Sequence, residues 1–263
     1  MHLAIDDTYG PIDAAPSKYV TGARRTYVAV EFPDSQVQEV RNAIRDCLEE
    51  LPDQLGIAPA EFHFVDIYNR NGVWKQVLAG KNLRIFEFFA EIYRHYRWRV
   101  HIQTVDNRTL TDHGIALAGS LDGIDLTKRD GQALLFLLLK LRRSIPSPRE
   151  RLILRIDEGT GKADAPFARE IFHEWGERYD GRFAASVSEP LLQIADFLAF
   201  SINRSTHLQI KPQRTATDLW FLDLVGRMKI QSPDITQTTL PANFSVADID
   251  SIHTKDRREK GVE

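Results

Sequence analysis

Apolar and polar positions along the chain fall into alternating strand-like and helix-like patterns. Residues 2–6, HLAID, are a short apolar run ending in an acid and predict a first strand. Residues 10–25, GPIDAAPSKYVTGARR, carry Gly, Pro and polar side chains and predict a loop. The run 26–32, TYVAVEF, is rich in β-branched and aromatic residues and predicts a second strand, stopped by Pro33 and Asp34. Over 34–51, Val37, Val40, Ile44, Cys47, Leu48 and Leu51 recur at helical spacing. Segment 61–69, EFHFVDIYN, alternates only in places and reads as a short strand or an irregular piece. An amphipathic helix follows over 82–96, then a strand over 98–106 that ends in an acid. The helix pattern of 131–145, GQALLFLLLKLRRSI, is apolar around most of its circumference, which predicts burial. Residues 151–161, RLILRIDEGTG, predict another strand ending in acids, 165–179 a helix, and 182–188 a short strand. Two further helices are predicted over 189–205 and 216–230. Beyond Ser232 the sequence turns polar, and 233–263 reads as a loosely packed C-terminal extension.

This alternation predicts an α/β domain over 1–232, with helices covering a mixed sheet. The first two strands are joined by a stretch without a helical pattern, so they are expected to pair antiparallel. The 263 residues supply ample material for a core. A net charge of -3 gives no global positive field, so binding to nucleic acid would need a local basic patch. The single cysteine, Cys47, removes a disulfide framework, argues against a cysteine-based zinc site and suits a reducing, cytoplasmic setting. The longest apolar run, 133–141, is far too short to span a membrane, and the N-terminus lacks the basic-then-apolar order of a signal peptide.

Three predicted strands end in acids: Asp6 and Asp7, Asp106, and Asp157 with Glu158. Any one of them alone reads most simply as a solvated turn, since charged residues often sit at element ends. In open α/β sheets, however, functional groups gather outside strand ends. A divalent cation takes hard oxygen ligands of this kind. The predicted helix 189–205 changes the weighing. Gln193 and Asp196 lie three apart, hence on one face, among Leu191, Leu192, Ile194, Ala195, Phe197 and Leu198. An Asp in such apolar company is costly unless it is paired, hydrogen-bonded or bound to a cation. The alternatives are a cap or an arginine partner for Asp196 and backbone bonds for Gln193.

AIDDTYG at the start, EFHF at 61–64, RIDEG at 155–159 and SVSEPLLQIADFLAF at 186–200 together resemble the domain-of-unknown-function 3800 family. The resemblance spans roughly residues 3–205, and its late-helix Gln-x-x-Asp is the most specific part. It implies a fold similar to the ribonuclease H-like nucleases, with Mg²⁺- or Mn²⁺-dependent phosphodiester chemistry on DNA or RNA. Some members look associated with mobile elements and phage defence. Residue by residue, Asp6 matches the first-strand Asp. Asp7 stands where the family usually has Glu, and Thr8 where it often has Ser; Tyr9 separates Gly10 from that motif. Glu61 and His63 match an acidic-x-His/Lys segment, Asp157 and Glu158 an acid pair, and Gln193 and Asp196 the late motif. The implied roles are Asp6 bridging metals, Asp157 and Asp196 each holding one, and Glu61 completing the set, with Asp106 in reserve. Gln193 would orient Asp196 or a water, and His63 would assist. Strand alternation separates the first acid pair, since Asp7 is expected on the opposite face from Asp6.

Other features are weaker. Gly159, Gly161 and Lys162 follow a strand but lack the full phosphate-loop spacing. The stretch 93–99, YRHYRWR, interleaves aromatic and basic residues that could grip phosphate and stack on bases, or could simply end an amphipathic helix. The rival to a nuclease is a non-catalytic interaction or nucleic-acid-binding component.

Overall fold

The computed structural model describes residues 1–8, 17–145, 150–235 and 243–262. Five strands form one mixed sheet in the order β3-β2-β1-β6-β7. They are β1 (His2–Thr8), β2 (Arg25–Phe32), β3 (Val100–Val105), β6 (Leu152–Asp157) and β7 (Tyr179–Ala184). A separate two-stranded ribbon, β4 (Ser120–Leu121) with β5 (Ile124–Asp125), lies between β3 and β6 in the chain. As the sequence pattern led us to expect, β1 and β2 run antiparallel, with Asp6 opposite Val28 and Asp7 opposite Tyr27. β3 pairs antiparallel with β2, whereas β6 runs parallel to β1 and β7 parallel to β6.

Alternation along the strands builds a core on each face. Ala4, Val28, Val30 and Phe32 face one side, where they meet α1 (Asp34–Leu55), α2 (Phe64–Asn69), α3 (Leu83–Tyr96), α6 (Leu191–Ile210) and α7 (Ala216–Met228). Aromatic rings fill this layer: Phe64 packs on Phe86, Phe89 and Phe197, with centroids 4.8 to 5.2 Å apart. Leu3, Ile5, Tyr27 and Ala29 face the other side, against α5 (Arg129–Ser144) and the segment carrying Phe167, Ile171, Phe172 and Trp175. The wide apolar surface of α5 is therefore explained by burial of Ala133, Leu134, Leu135, Leu137, Leu138 and Leu141. Gly131 lets the first turn of α5 press onto the ribbon, because a Cβ there would stand 2.0 Å from the Asp125 carbonyl oxygen.

Three elements depart from the sequence-based expectation. Residues 165–179 form no α-helix; their only helical piece is a 3₁₀ stretch, His173–Arg178, interrupted by Gly176 at φ 52°. Phe167, Ile171 and Trp175 mimic helical spacing because an irregular segment buries them. Segment 61–69 is irregular, with a bend at Glu61 and extended backbone at His63, and then turns into α2. The extension expected to be loosely packed contains α8 (Val246–Glu259), which is capped by Ser245 and docked by tertiary bonds. Asp250 accepts from Ser17 Oγ at 2.7 Å and from the Lys18 amide at 2.9 Å. Tyr19 shares a hydrogen bond with Thr254, Arg257 pairs with Asp112, and Ile249 packs with Val20 and Ile210. No helix among the described residues is long and apolar enough to cross a membrane.

Candidate active site

The end of β1 opens into a cavity of about 560 Å³ that receives side chains from seven places in the chain. Asp6 and Asp7 come from β1, Arg25 and Tyr27 from β2, Asp130 from the first turn of α5, and Asp157 from the end of β6. Glu61, Phe62 and His63 enter from the irregular stretch before α2, and Ser186, Gln193 and Asp196 from the β7–α6 connection and α6 itself.

The register explains the meeting. Ile5 lies beside Ile156 on the neighbouring parallel strand, so the next residues, Asp6 and Asp157, stand side by side at the strand ends. Both share the face that α6 covers, since Ala4 of β1 belongs to that core and Leu154 and Ile156 of β6 belong to the opposite one. Asp7 belongs to the opposite face, toward α5 and Asp130, as alternation demands. It is nevertheless part of the site, because the cavity straddles the end of the sheet.

Six carboxylates line this one space: Asp6, Asp7, Glu61, Asp130, Asp157 and Asp196. Burial, then repulsion from Asp196, Asp7 and Asp157, pushes the Asp6 carboxyl well above the usual range, although it accepts the Asp7 amide at 2.8 Å. Burial raises Asp196 to about 6, with Asp157 and Glu61 adding to the rise; the positive character of His63 and the Phe64 amide, 3.1 Å away, oppose it. Burial, Asp130 and Asp157 likewise raise Asp7 to about 6, against the pull of Arg25. Arg25 also forms an ion pair with Asp130, with Nε 2.7 Å from Oδ1. Burial alone would lower His63, but its 2.9 Å bond to Asp66 and the fields of Asp196, Asp66 and Glu61 hold it above its ordinary value.

Gln193 and Asp196 do share one face of α6, and both hold the backbone that precedes α2. Gln193 Oε1 accepts from the Phe62 amide at 3.1 Å, and Asp196 accepts from the Phe64 amide. The Gln193 amide nitrogen donates to the Ser186 carbonyl at 3.0 Å, and the Ser186 hydroxyl donates to the Glu61 carboxylate. Gln193 thus bonds backbone at both ends of its amide, the alternative the sequence left open for it.

Two other expectations are corrected. Asp106 caps α4 (Asn107–Asp112), accepting from the amides of Arg108 at 2.9 Å and Thr109 at 3.0 Å, and takes no part in the cavity. Glu158 is exposed in a 3₁₀ turn and does not line the cavity, although Gly159 beside it does. The mixture at 93–99 lies at the far end of β3, and Tyr93 and Trp98 are buried. Tyr93 donates to the Trp98 carbonyl and Trp98 to Gln36, so these rings are core and not a stacking surface. Gly10 lies outside the described residues.

The residues that sequence reasoning missed are Asp130, Arg25, Tyr27 and Ser186. Asp130 reads as an ordinary acid complementing a helix N-terminus, and Tyr27 as a strand hydrophobe. Only the fold turns both toward Asp7.

The donor set suits a hard divalent cation. Its oxygens are carboxylate, and the Asp6 and Asp196 carboxyls are raised first by burial and then by neighbouring acids, so ionising them is costly without a compensating charge. Among the described residues, no three His, Cys, Asp or Glu side chains are drawn together as a finished ligand group. Compared with known proteins, the chain matches no family model and no curated protein sequence.

Proposed function

We propose that this protein is a divalent-metal-dependent phosphodiesterase acting on nucleic acid, built on a ribonuclease H-like sheet. The observation that carries the reading is the meeting of Asp6, Asp157 and Asp196 at one cavity from two adjacent strand ends and a covering helix. The order β3-β2-β1-β6-β7, with three antiparallel strands followed by two added in parallel to β1, supports it. So does the resemblance carried by the first-strand and late-helix motifs.

In this reading Asp6, Glu61, Asp157 and Asp196 would hold Mg²⁺ or Mn²⁺. The cation, when bound, supplies Lewis acidity toward a phosphoryl oxygen and makes water a better nucleophile. The remaining work belongs to the chain. Asp6 and Asp157 sit on paired strands and are held rigidly. Asp196 is fixed by the Phe64 amide. His63, kept basic by Asp66 and the nearby acids, stands at the cavity as a proton carrier or phosphate contact. Arg25 offers the other positive charge lining the space. With six carboxylates lining the space, the cavity by itself would repel a phosphate substrate.

The carboxylates being gathered but not closed into a ligand group favours a second reading. In it the domain is a non-catalytic interaction or nucleic-acid-binding component, of a phage-defence or mobile-element system. A cleavage assay separates the two. Single- and double-stranded DNA and RNA are incubated with protein and Mg²⁺ or Mn²⁺. The nuclease reading expects cleavage that falls by more than about a hundredfold in Asp6→Ala and Asp157→Ala, with circular dichroism unchanged. No cleavage of any of these substrates with either metal would favour the second reading.

A further inference from the structure

We infer that Ser186 and Gln193 are positioning residues that together aim Glu61 into the cavity. The consequence for metal binding rests on the reading above; the positioning itself rests on hydrogen bonds. Glu61 lies at a bend in an irregular stretch with no strand partner and no helix of its own, so nothing in local structure fixes its direction. Two groups supply what is missing. Gln193, buried on α6, spends both ends of its amide on backbone: its oxygen takes the Phe62 N–H at 3.1 Å, and its nitrogen gives to the Ser186 carbonyl at 3.0 Å. One side chain therefore ties the stretch bearing Glu61 to the β7–α6 connection bearing Ser186. The Ser186 hydroxyl then closes the triangle by donating to the Glu61 carboxylate.

The arrangement has a chemical logic. The hydroxyl is a neutral donor, so it can orient a carboxylate without cancelling its charge. An arginine in that position would compete with a cation for Glu61, and serine does not. Outer groups of this kind fix the direction of an acid whose other oxygen is left to act. Asp196, one turn along α6, anchors the Phe64 amide separately. The two ends of the stretch are thus held by different residues, and this allows them to be tested apart.

The test uses full-length protein and two readouts. The first is hydrogen exchange at the Phe62 and Phe64 amides, measured with chelator present. Gln193→Ala is expected to speed exchange at Phe62 by about tenfold while Phe64 stays near wild type. Gln193→Glu keeps the acceptor and is expected to retain Phe62 protection, which covers the case in which the alanine variant folds poorly. The second is melting temperature against added Mn²⁺. Ser186→Ala is expected to raise the half-saturating Mn²⁺ concentration by about 10- to 100-fold, and Ser186→Thr, which keeps the hydroxyl, to restore it. Unchanged Phe62 exchange in Gln193→Ala overturns the inference. So does a Ser186→Ala protein that titrates like wild type, or a Ser186→Thr protein as weak as the alanine variant. A wild-type protein without any Mn²⁺ response removes the metal reading alone, and the Phe62 exchange still decides the positioning.

Discussion

Asp196 is at odds with its surroundings. Its carboxyl is raised to about 6 by burial, with Asp157 and Glu61 adding to the rise, so ionising it costs the folded state more than the unfolded one. The sign of the pH dependence follows. Between the unfolded value near 4 and the folded value of about 6, the folded chain binds more protons, and stability falls as pH rises through that window. Asp196→Asn keeps an acceptor for the Phe64 amide and removes the charge. In metal-free urea unfolding, the variant should match wild type near pH 4 and become more stable by about 1–3 kcal/mol above pH 6. Equal stability at every pH would show that no unrelieved charge resides there. Asp7, also raised to about 6, should behave likewise in Asp7→Asn, over the same window.

Elements set which residues can meet. The first turn of α5 brings Asp130 to the cavity only because Gly131 lets the helix lie on the Asp125 carbonyl. Gly131→Ala should destabilise the protein by about 1–3 kcal/mol through overpacking, read as a lower urea midpoint. An unchanged midpoint would mean that the ribbon yields freely. At the other end of the chain, α8 is joined to the body through Ile249, Asp250, Thr254 and Arg257. Ile249→Ala should cost about 2 kcal/mol, where a mobile tail would show no effect. The strands and most helices could be read from periodicity because their apolar spacing is dictated by one or two buried faces. Others could not, and two show why. Residues 165–179 carry helical spacing but place Phe167 and Trp175 in the core from irregular backbone, with Ala168 and Gly176 at positive φ. In α8 only Ile249 is buried, so its apolar signal is too thin to stand out from polar sequence.

Across the whole molecule, sequence and fold contribute different parts of the site. Asp6, Asp157 and Asp196 were legible because each interrupts an apolar pattern at a strand end or on a buried helix. Glu61 needed the family resemblance, since its segment has no clear period. Asp130, Arg25 and Ser186 became visible only when the sheet end placed both of its faces against one cavity. The central claim is that this cavity holds a divalent cation, and the most direct measurement is melting temperature during Mn²⁺ titration of wild type and Asp6→Asn. Cation at about 100 times its dissociation constant should stabilise wild type by about 2.7 kcal/mol, a rise of roughly 5–10 °C, and leave Asp6→Asn unmoved. A wild-type melting temperature that stays flat in both Mn²⁺ and Mg²⁺ would contradict the account.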